Sequence, residues 1–481
     1  MRTEKLYING EWKDSATGET FQVLNPADGS LVGKMAAAGK EEVLQAIAGA
    51  EQAKEEWANL PAQVRASYMK KWHQLLLENE ETIARTMTTE QGKPLAEALG
   101  EVRAAASFVE WYAEEAKRVY GETIPASSSR KRIMVLKQPV GVTAAITPWN
   151  FPASMVTRKI SPAIAAGCPV ILKPAEQTPF CAVEIIKLAH KAGIPKGVIS
   201  LLAGPPEIIG DTLLEDSRVR KITFTGSTDV GKMLMKKSAD TVKHISLELG
   251  GHAPYIVFDD ANLDKAVNEL MGAKIRNCGQ VCIATNRLYV QESIEKAFVQ
   301  KLSQEFSNIK MGSGFEEGIQ MGPLIDGKAY QKVQEHVEDA LSKGAKLITG
   351  GEGFHKGDHD QAGYYYKPTI LVDVTADMKI MKEETFGPVL PIQRFTTEEE
   401  ALRLANNSQF GLASYVFTES LSRGIRVSEK LEYGIVGLND GGPATVQAPF
   451  GGFKESGLGR EGGHFGIESF LEIKYVSIGI K

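Results

Sequence analysis

The stretch Val142-Thr-Ala-Ala-Ile-Thr-Pro-Trp-Asn-Phe-Pro152 decides the architecture. Its first five residues form a short apolar run closed by Thr-Pro, the pattern of a strand buried on both faces. The pattern returns at Val170–Leu172, Val198–Leu202, Ile222–Phe224 and Ile245–Leu249, with helical spacing between the runs. Strands alternating with helices predict a parallel, doubly wound sheet, hence an α/β fold. A second α/β stretch runs from Ala253 to about Val436. Toward the N-terminus, Leu6-Tyr-Ile-Asn-Gly-Glu-Trp12 reads as two short strands around an Asn-Gly turn. Lys40–Asn59, Gln63–Gln91 and Arg103–Ala116 carry apolar residues at three- and four-residue spacing, as helices do. Ile133–Lys137 reads as a strand too isolated to make a domain, and Phe470–Ile480 alternates like a strand suited to pair with it. The expected organisation is a dinucleotide-binding domain (1–125 and 142–251), a catalytic domain (252–440) and an oligomerisation element (126–141 and 465–481).

Composition narrows the function. A chain of 481 residues, 43% hydrophobic and 24% charged with net charge −5, is an ordinary globular protein of two or three domains. Its mild acidity offers no electrostatic footprint for nucleic acid or an anionic membrane. No apolar run is long enough to span a bilayer and no targeting segment precedes Leu6, so a cytoplasmic location is expected. Four cysteines and eight scattered histidines lack zinc-site spacing, so reduced thiols and no metal are expected.

Three segments carry chemistry. In Arg276-Asn-Cys-Gly-Gln-Val-Cys282, Gly279 permits a tight path into Cys282, which is either a nucleophile or a buried structural thiol. Asn150 follows the strand Val142–Ile146, at the end of a doubly wound strand where ligands bind. Its amide suits an oxyanion, and it equally suits a helix cap. Glu248, inside the apolar Leu247-Glu-Leu-Gly-Gly251, is either a paired structural carboxylate or a desolvated base. A thiol, an amide donor and a desolvated carboxylate together suit acyl-thioester chemistry. Phe224-Thr-Gly-Ser-Thr-Asp-Val-Gly231 follows a strand and opens a helix. Its amides and the Ser227 hydroxyl suit a phosphate, or simply cap the helix.

Together with Lys173-Pro-Ala-Glu-Gln-Thr-Pro179, Glu383-Glu-Thr-Phe-Gly-Pro388 and Pro449-Phe-Gly-Gly452, these segments occur in an order that resembles the aldehyde dehydrogenase superfamily, from about Tyr7 to Lys474. The resemblance implies that Cys282 attacks an aldehyde and that Asn150, with the Cys282 backbone N–H, holds the oxyanion. It implies that Glu248 activates the water that hydrolyses the thioester, and that Lys159 and Glu472 form a proton relay. Trp149, Lys173, Glu176, Gly226, Ser227, Glu384 and Phe386 would bind the cofactor. Glu176 can accept from a ribose 2′-OH and would repel a 2′-phosphate, which favours NAD and leaves NADP open.

Within the superfamily the chain is most similar to succinate-semialdehyde dehydrogenases, through Met155–Lys159, Lys274–Asn277 and Ser456–Glu461. Arg158 and Arg276 flank the chemistry from separate segments, so they could clamp a distal carboxylate, unless each closes a structural ion pair. Thr445 stands where those relatives often place a substrate-contacting serine. Cys278, four residues before the nucleophile, allows a reversible disulfide with Cys282 or is a small buried thiol. The alternatives are a dehydrogenase for glutarate or 2-oxoglutarate semialdehyde, or a non-catalytic protein on the same scaffold. A homodimer or homotetramer is expected.

Overall fold

The structure is a computed structural model and describes residues 2–355 and 363–481. Each apolar run that follows Val142 becomes a strand: Val142–Ile146, Val170–Lys173, Ile199–Leu201, Val219–Thr225 and His244–Glu248. All five are parallel. From 142–146 the chain winds outward to 170–173 and 199–201. It then crosses back, so that 219–225 lies on the other side of 142–146, with 244–248 beyond it. A crevice is expected where the winding reverses, outside the C-terminal ends of 142–146 and 219–225. The N-terminal strands Leu6–Ile8 and Glu11–Lys13 extend one edge of this sheet. Their turn places Asn9 and Gly10 at φ 51° and 86°, the left-handed pair that an Asn-Gly hairpin needs. Gly457–Leu458, from near the C-terminus, closes the other edge.

A second sheet of seven strands has Thr285–Gln291 and Ala253–Val257 near its centre. Each sheet has its own hydrophobic core. The periodic stretch 63–91 divides into helices Ala62–Glu78 and Glu80–Gln91 at Asn79 (φ −114°, ψ 17°), whose side chain donates to Leu75 O at 2.8 Å. An amide that satisfies the end of the preceding turn competes with continued helix, which apolar spacing alone does not reveal.

Lys131–Pro139 pairs antiparallel with the terminal strand Leu471–Gly479 over nine residues, and with Glu122–Ile124 on its other side. This sheet is largely exposed, including Ile473 at 75% and Tyr475 at 59%. Among the described residues no helix is long and apolar enough to cross a membrane.

Candidate active site

Cys282 enters its site through a strained path. Helix Leu263–Ile275 ends at Arg276, and Asn277, Cys278 and Gly279 then take positive φ values of 50°, 58° and 72°. Two consecutive non-glycine residues in this region are costly and persist only where surrounding contacts hold them. The holds are visible. Asn277 donates from Nδ2 to Asn150 O at 2.9 Å, and its own N–H goes to Glu97 Oε2 at 2.9 Å. Gln280 donates from Nε2 to Asn277 O at 3.0 Å and accepts the Ile325 N–H at 2.9 Å. Close backbone approach completes the bend. A Cβ on Gly279 would stand 2.3 Å from Gly387 O, and one on Gly251 would stand 2.2 Å from Cys282 O.

Cys282 is partly open to a cavity of about 330 Å³ that also takes in Trp149, Asn150, Gly226, Ser227, Gly250, Glu384 and Phe386. The cavity lies outside the ends of strands 142–146, 219–225 and 244–248, in the crevice that the winding predicts. Burial pushes the Cys282 thiol up to about 12, with Arg158 and Arg276 pulling it down and Glu384 and Glu248 pushing it further up. Asn150 donates one amide N–H to Gln280 O at 3.0 Å, which leaves its second amide hydrogen for a ligand.

Glu248 ends its strand fully enclosed. Burial holds its carboxyl well above the carboxylate range and Glu461 adds to the shift, while Arg158, Lys159 and Arg460 oppose it. One of its oxygens, Oε2, is buried without a hydrogen-bond partner among the described residues. The Phe450–Gly452 turn passes so close that a Cβ on Gly451 would lie 2.9 Å from Glu248 Oε1. The result is a carboxyl kept dry and held well above the ordinary carboxylate range by its burial.

The remaining cavity walls suit a dinucleotide. Ser227 caps helix Thr228–Ser238 by accepting the Val230 N–H at 3.4 Å, so the capping role is present alongside an open helix N-terminus. Glu384 accepts the Gly251 N–H at 2.9 Å, and burial still pushes its carboxyl up to about 7. Trp149 and Phe386 meet edge to face with centroids 5.6 Å apart. Lys173 and Glu176 do not line this cavity; Lys173 is buried and ion-paired with Glu176.

The model of the aldehyde dehydrogenase family matches residues 12–476. The chain belongs to that family. It is 53% identical to a glutarate-semialdehyde dehydrogenase of Pseudomonas putida, over 99% of this chain and 98% of the relative. It is 51% identical to a succinate-semialdehyde dehydrogenase [NADP(+)] of Escherichia coli, again over 99% and 98%. A crystal structure described as an Escherichia coli NADP-dependent enzyme superposes with a TM-score of 0.97 at 51% identity, covering 99% of this chain and 98% of that one. The protein is accordingly an oxidoreductase acting on aldehydes.

Two sequence expectations for this aldehyde dehydrogenase need correction. Glu472 is not the partner of Lys159. It sits exposed on the terminal strand, beside His244 at 3.0 Å and Arg220 at 3.9 Å. Lys159, fully buried, pairs instead with Glu461 and donates to Thr223 Oγ1 at 3.2 Å. The reason is topological: strand 471–479 leaves the body to join the projecting sheet, whereas Glu461 precedes that departure and is tied to Phe450 by a backbone bridge. Thr445 is exposed, with its hydroxyl bonded to Gln447, and neither it nor Arg158 nor Arg276 lines the cavity that holds Cys282.

Arg158 and Arg276 fare differently. Arg158 is buried with Nε 3.1 Å from Glu461, and its guanidinium lies 3.8 Å from the Phe450 ring centroid. Arg276 is exposed, stacks 5.3 Å from the Phe151 centroid, and makes no ion pair among the described residues. Glu461, Lys93 and Glu101 are site neighbours that sequence reading passed over. Only Glu461 had a local signal, as the last residue of Ser456-Gly-Leu-Gly-Arg-Glu461. All four cysteines are free, and Cys278 is buried in the second core.

Proposed function

We propose that this aldehyde dehydrogenase oxidises succinate semialdehyde to succinate with NAD(P). The observation that carries the substrate class is Arg276: an exposed guanidinium with no ion pair among the described residues, six residues before Cys282 and close enough to bias its thiol. A distal carboxylate is its natural partner. Arg158 is fixed by Glu461 and Phe450, and its terminal nitrogens make no hydrogen bond among the described residues. It therefore keeps donors for the same anion. Glutarate semialdehyde is the second reading, favoured by the 53% identity to a dehydrogenase of that name.

Cys282 loses its thiol proton to water in the open cavity and adds as the thiolate to the aldehyde carbon, giving a thiohemiacetal whose oxyanion is held by the free amide N–H of Asn150 and the Cys282 backbone N–H. The cavity fits a nicotinamide dinucleotide in shape and donors. Gly250 leaves room where a Cβ would stand 2.9 Å from Glu384 Oε2, and Ser227 offers a helix N-terminus to phosphate. Glu384 would hold the nicotinamide ribose, with Trp149, Gly226 and Phe386 around it, and Lys173 with Glu176 would hold the adenosine ribose. The bound nicotinamide supplies the hydride acceptor that leaves a thioester on Cys282. Glu248 takes a proton from the water that hydrolyses the thioester, so that the products are the carboxylate, the Cys282 thiol and the one proton held by Glu248. Glu461 and Lys159 pass that proton on. Glu176 favours NAD over NADP, because its carboxylate accepts from a 2′-OH and repels a 2′-phosphate. We read the enzyme as cytoplasmic and as a homodimer or homotetramer built on the sheet of 122–124, 131–139 and 471–479.

The test compares initial rates on succinate semialdehyde, glutarate semialdehyde and butanal, with NAD and then NADP. A large preference for the carboxylated aldehydes supports the assignment, and the ratio between them ranks the two readings. Equal rates on butanal would remove the carboxylate from the argument.

A further inference from the structure

Four polar side chains on one short segment reach both halves of the catalytic centre. The segment runs from Gln91, at the end of helix Glu80–Gln91, through Lys93 to Glu97 and Glu101 on helix Leu95–Glu115. Gln91 Nε2 donates to Asn277 Oδ1 at 2.8 Å, and Glu97 accepts the Asn277 N–H. Lys93 Nζ donates to the backbone carbonyl of Asn150 at 2.8 Å and is ion-paired with Glu101. Glu101 Oε1 accepts the N–H groups of Ala153 and Ser154 at 2.9 and 3.2 Å. It thereby caps helix Ser154–Ala166, which carries Arg158 and Lys159.

The segment is itself pinned. Gly92 has φ +91°, and a Cβ there would stand 2.8 Å from Pro323 Cγ. The Leu95 N–H donates to Gly314 O at 3.0 Å. Lys93 is 2% exposed. A buried ion pair is weak evidence for stability, since apolar residues fill such space at least as well. Holding a particular geometry is what this pair does that apolar residues cannot.

We infer that Lys93 is a positioning residue for Asn150. Two donors, Lys93 Nζ and Asn277 Nδ2, occupy the one carbonyl oxygen of Asn150 and fix its peptide plane. That plane, together with the bond from Asn150 Nδ2 to Gln280 O at 3.0 Å, sets the direction of the side-chain amide. Without Lys93 the carbonyl is held from the Asn277 side alone, and the amide N–H drifts from the oxyanion position. A displacement of about 1 Å is enough to lower a rate by about a hundred-fold. The inference rests on the proposed role of Asn150 as oxyanion donor.

The test uses Lys93→Met combined with Glu101→Gln, which removes both charges and keeps a carbonyl oxygen facing Ala153. Lys93→Arg serves as the conservative variant and Asn150→Ala as the reference. If the double variant does not fold, Lys93→Gln replaces it. The rate of hydride transfer is measured per Cys282 titrated by iodoacetamide, with KM for NAD(P), the isotope effect for aldehyde deuterated at C1, and the melting temperature. The double variant is expected to lose about ten- to a hundred-fold in rate per titrated site. Its KM for the dinucleotide should stay within about two-fold, its isotope effect should approach that of Asn150→Ala, and Lys93→Arg should recover part of the rate. A lowered melting temperature with an unchanged rate per titrated site would overturn the inference, leaving Lys93 structural. If Asn150→Ala itself is fully active, the oxyanion reading fails and the inference fails with it. If Asn150→Ala is slow and the double variant is not, only the role of Lys93 falls.

Discussion

Arg158 and Lys159 are adjacent on one helix, and both close on the same carboxylate. Arg158 Nε lies 3.1 Å from Glu461 Oε2, and Lys159 pairs with Oε1. One buried acid thus answers two buried cations, with Glu248 close enough for its own titration to respond to all three. Removing Arg158 takes away an influence that lowers the Glu248 carboxyl. The rising limb of the pH–rate profile for thioester hydrolysis should therefore move to higher pH in Arg158→Ala. Melting temperature should also fall, because Glu461 loses part of its compensation, by up to about 3 kcal/mol. An unmoved limb would show that Arg158 does not reach Glu248 electrostatically.

Arg276 has no such carboxylate partner among the described residues. Arg276→Ala should raise KM for succinate semialdehyde and lower kcat/KM by about ten- to a hundred-fold, the worth of a charge-assisted hydrogen bond. The rate on butanal should change little, and melting should be unaffected because the side chain is exposed. Equal losses on both aldehydes would assign Arg276 to the loop rather than to the substrate.

Glu248→Gln separates the two halves of the reaction. The thiol and Asn150 are untouched, so one equivalent of reduced dinucleotide per site should still form in a burst. Steady-state turnover should then fall by about a hundred-fold or more, because hydrolysis lacks its base. In the free wild-type enzyme, burial disfavours the Cys282 thiolate. Alkylation by iodoacetamide should therefore speed up steadily as pH is raised from 7 to 10. A plateau beginning near neutral pH would contradict this.

Lys274 offers a stability test. It is fully buried and its one side-chain hydrogen bond among the described residues, to Asn286 Oδ1, is 3.5 Å long; burial lowers its ammonium to about 7. Above about pH 10.5 neither the folded nor the unfolded form is charged. As pH falls from there to about 7, only the unfolded chain takes up the proton, so stability falls through that window and levels off below it. Lys274→Met removes the effect. Its melting temperature should exceed that of wild type most clearly at pH 7 and converge with it toward pH 10.5. A constant difference across that range would show that Lys274 stays charged in the fold.

The terminal strand is an exposed sheet edge bearing Ile473 and Tyr475. Edges of this kind invite a partner. Ile473→Lys should shift sedimentation toward smaller species while leaving the far-ultraviolet circular dichroism unchanged. Identical sedimentation would place the interface elsewhere.

The sequence by itself determined the five parallel strands between Val142 and Glu248, because an apolar run between turn residues has few other ways to bury itself. The strands Thr20–Leu24, Leu31–Ala36 and Gly457–Leu458 and the individual strands of the second sheet came only with the structure. The sequence also determined the segments around Cys282, Asn150 and Glu248, because each couples a reactive side chain to a local backbone device: Gly279 before the thiol, Thr-Pro before the amide, two glycines after the carboxylate. Only the tertiary structure decided what surrounds them. Lys159 meets Glu461 across 302 positions of chain, and Lys93 meets Asn150 across 57. The Ser456–Glu461 motif marks Glu461 but does not say which carboxylate, Glu461 or Glu472 eleven residues on, meets Lys159. The difference is that the chain leaves the body between them, burying one carboxylate beside two cations and leaving the other in water. Pairing between buried charges depends on where distant segments are brought together, and that is settled by the packing of the whole chain.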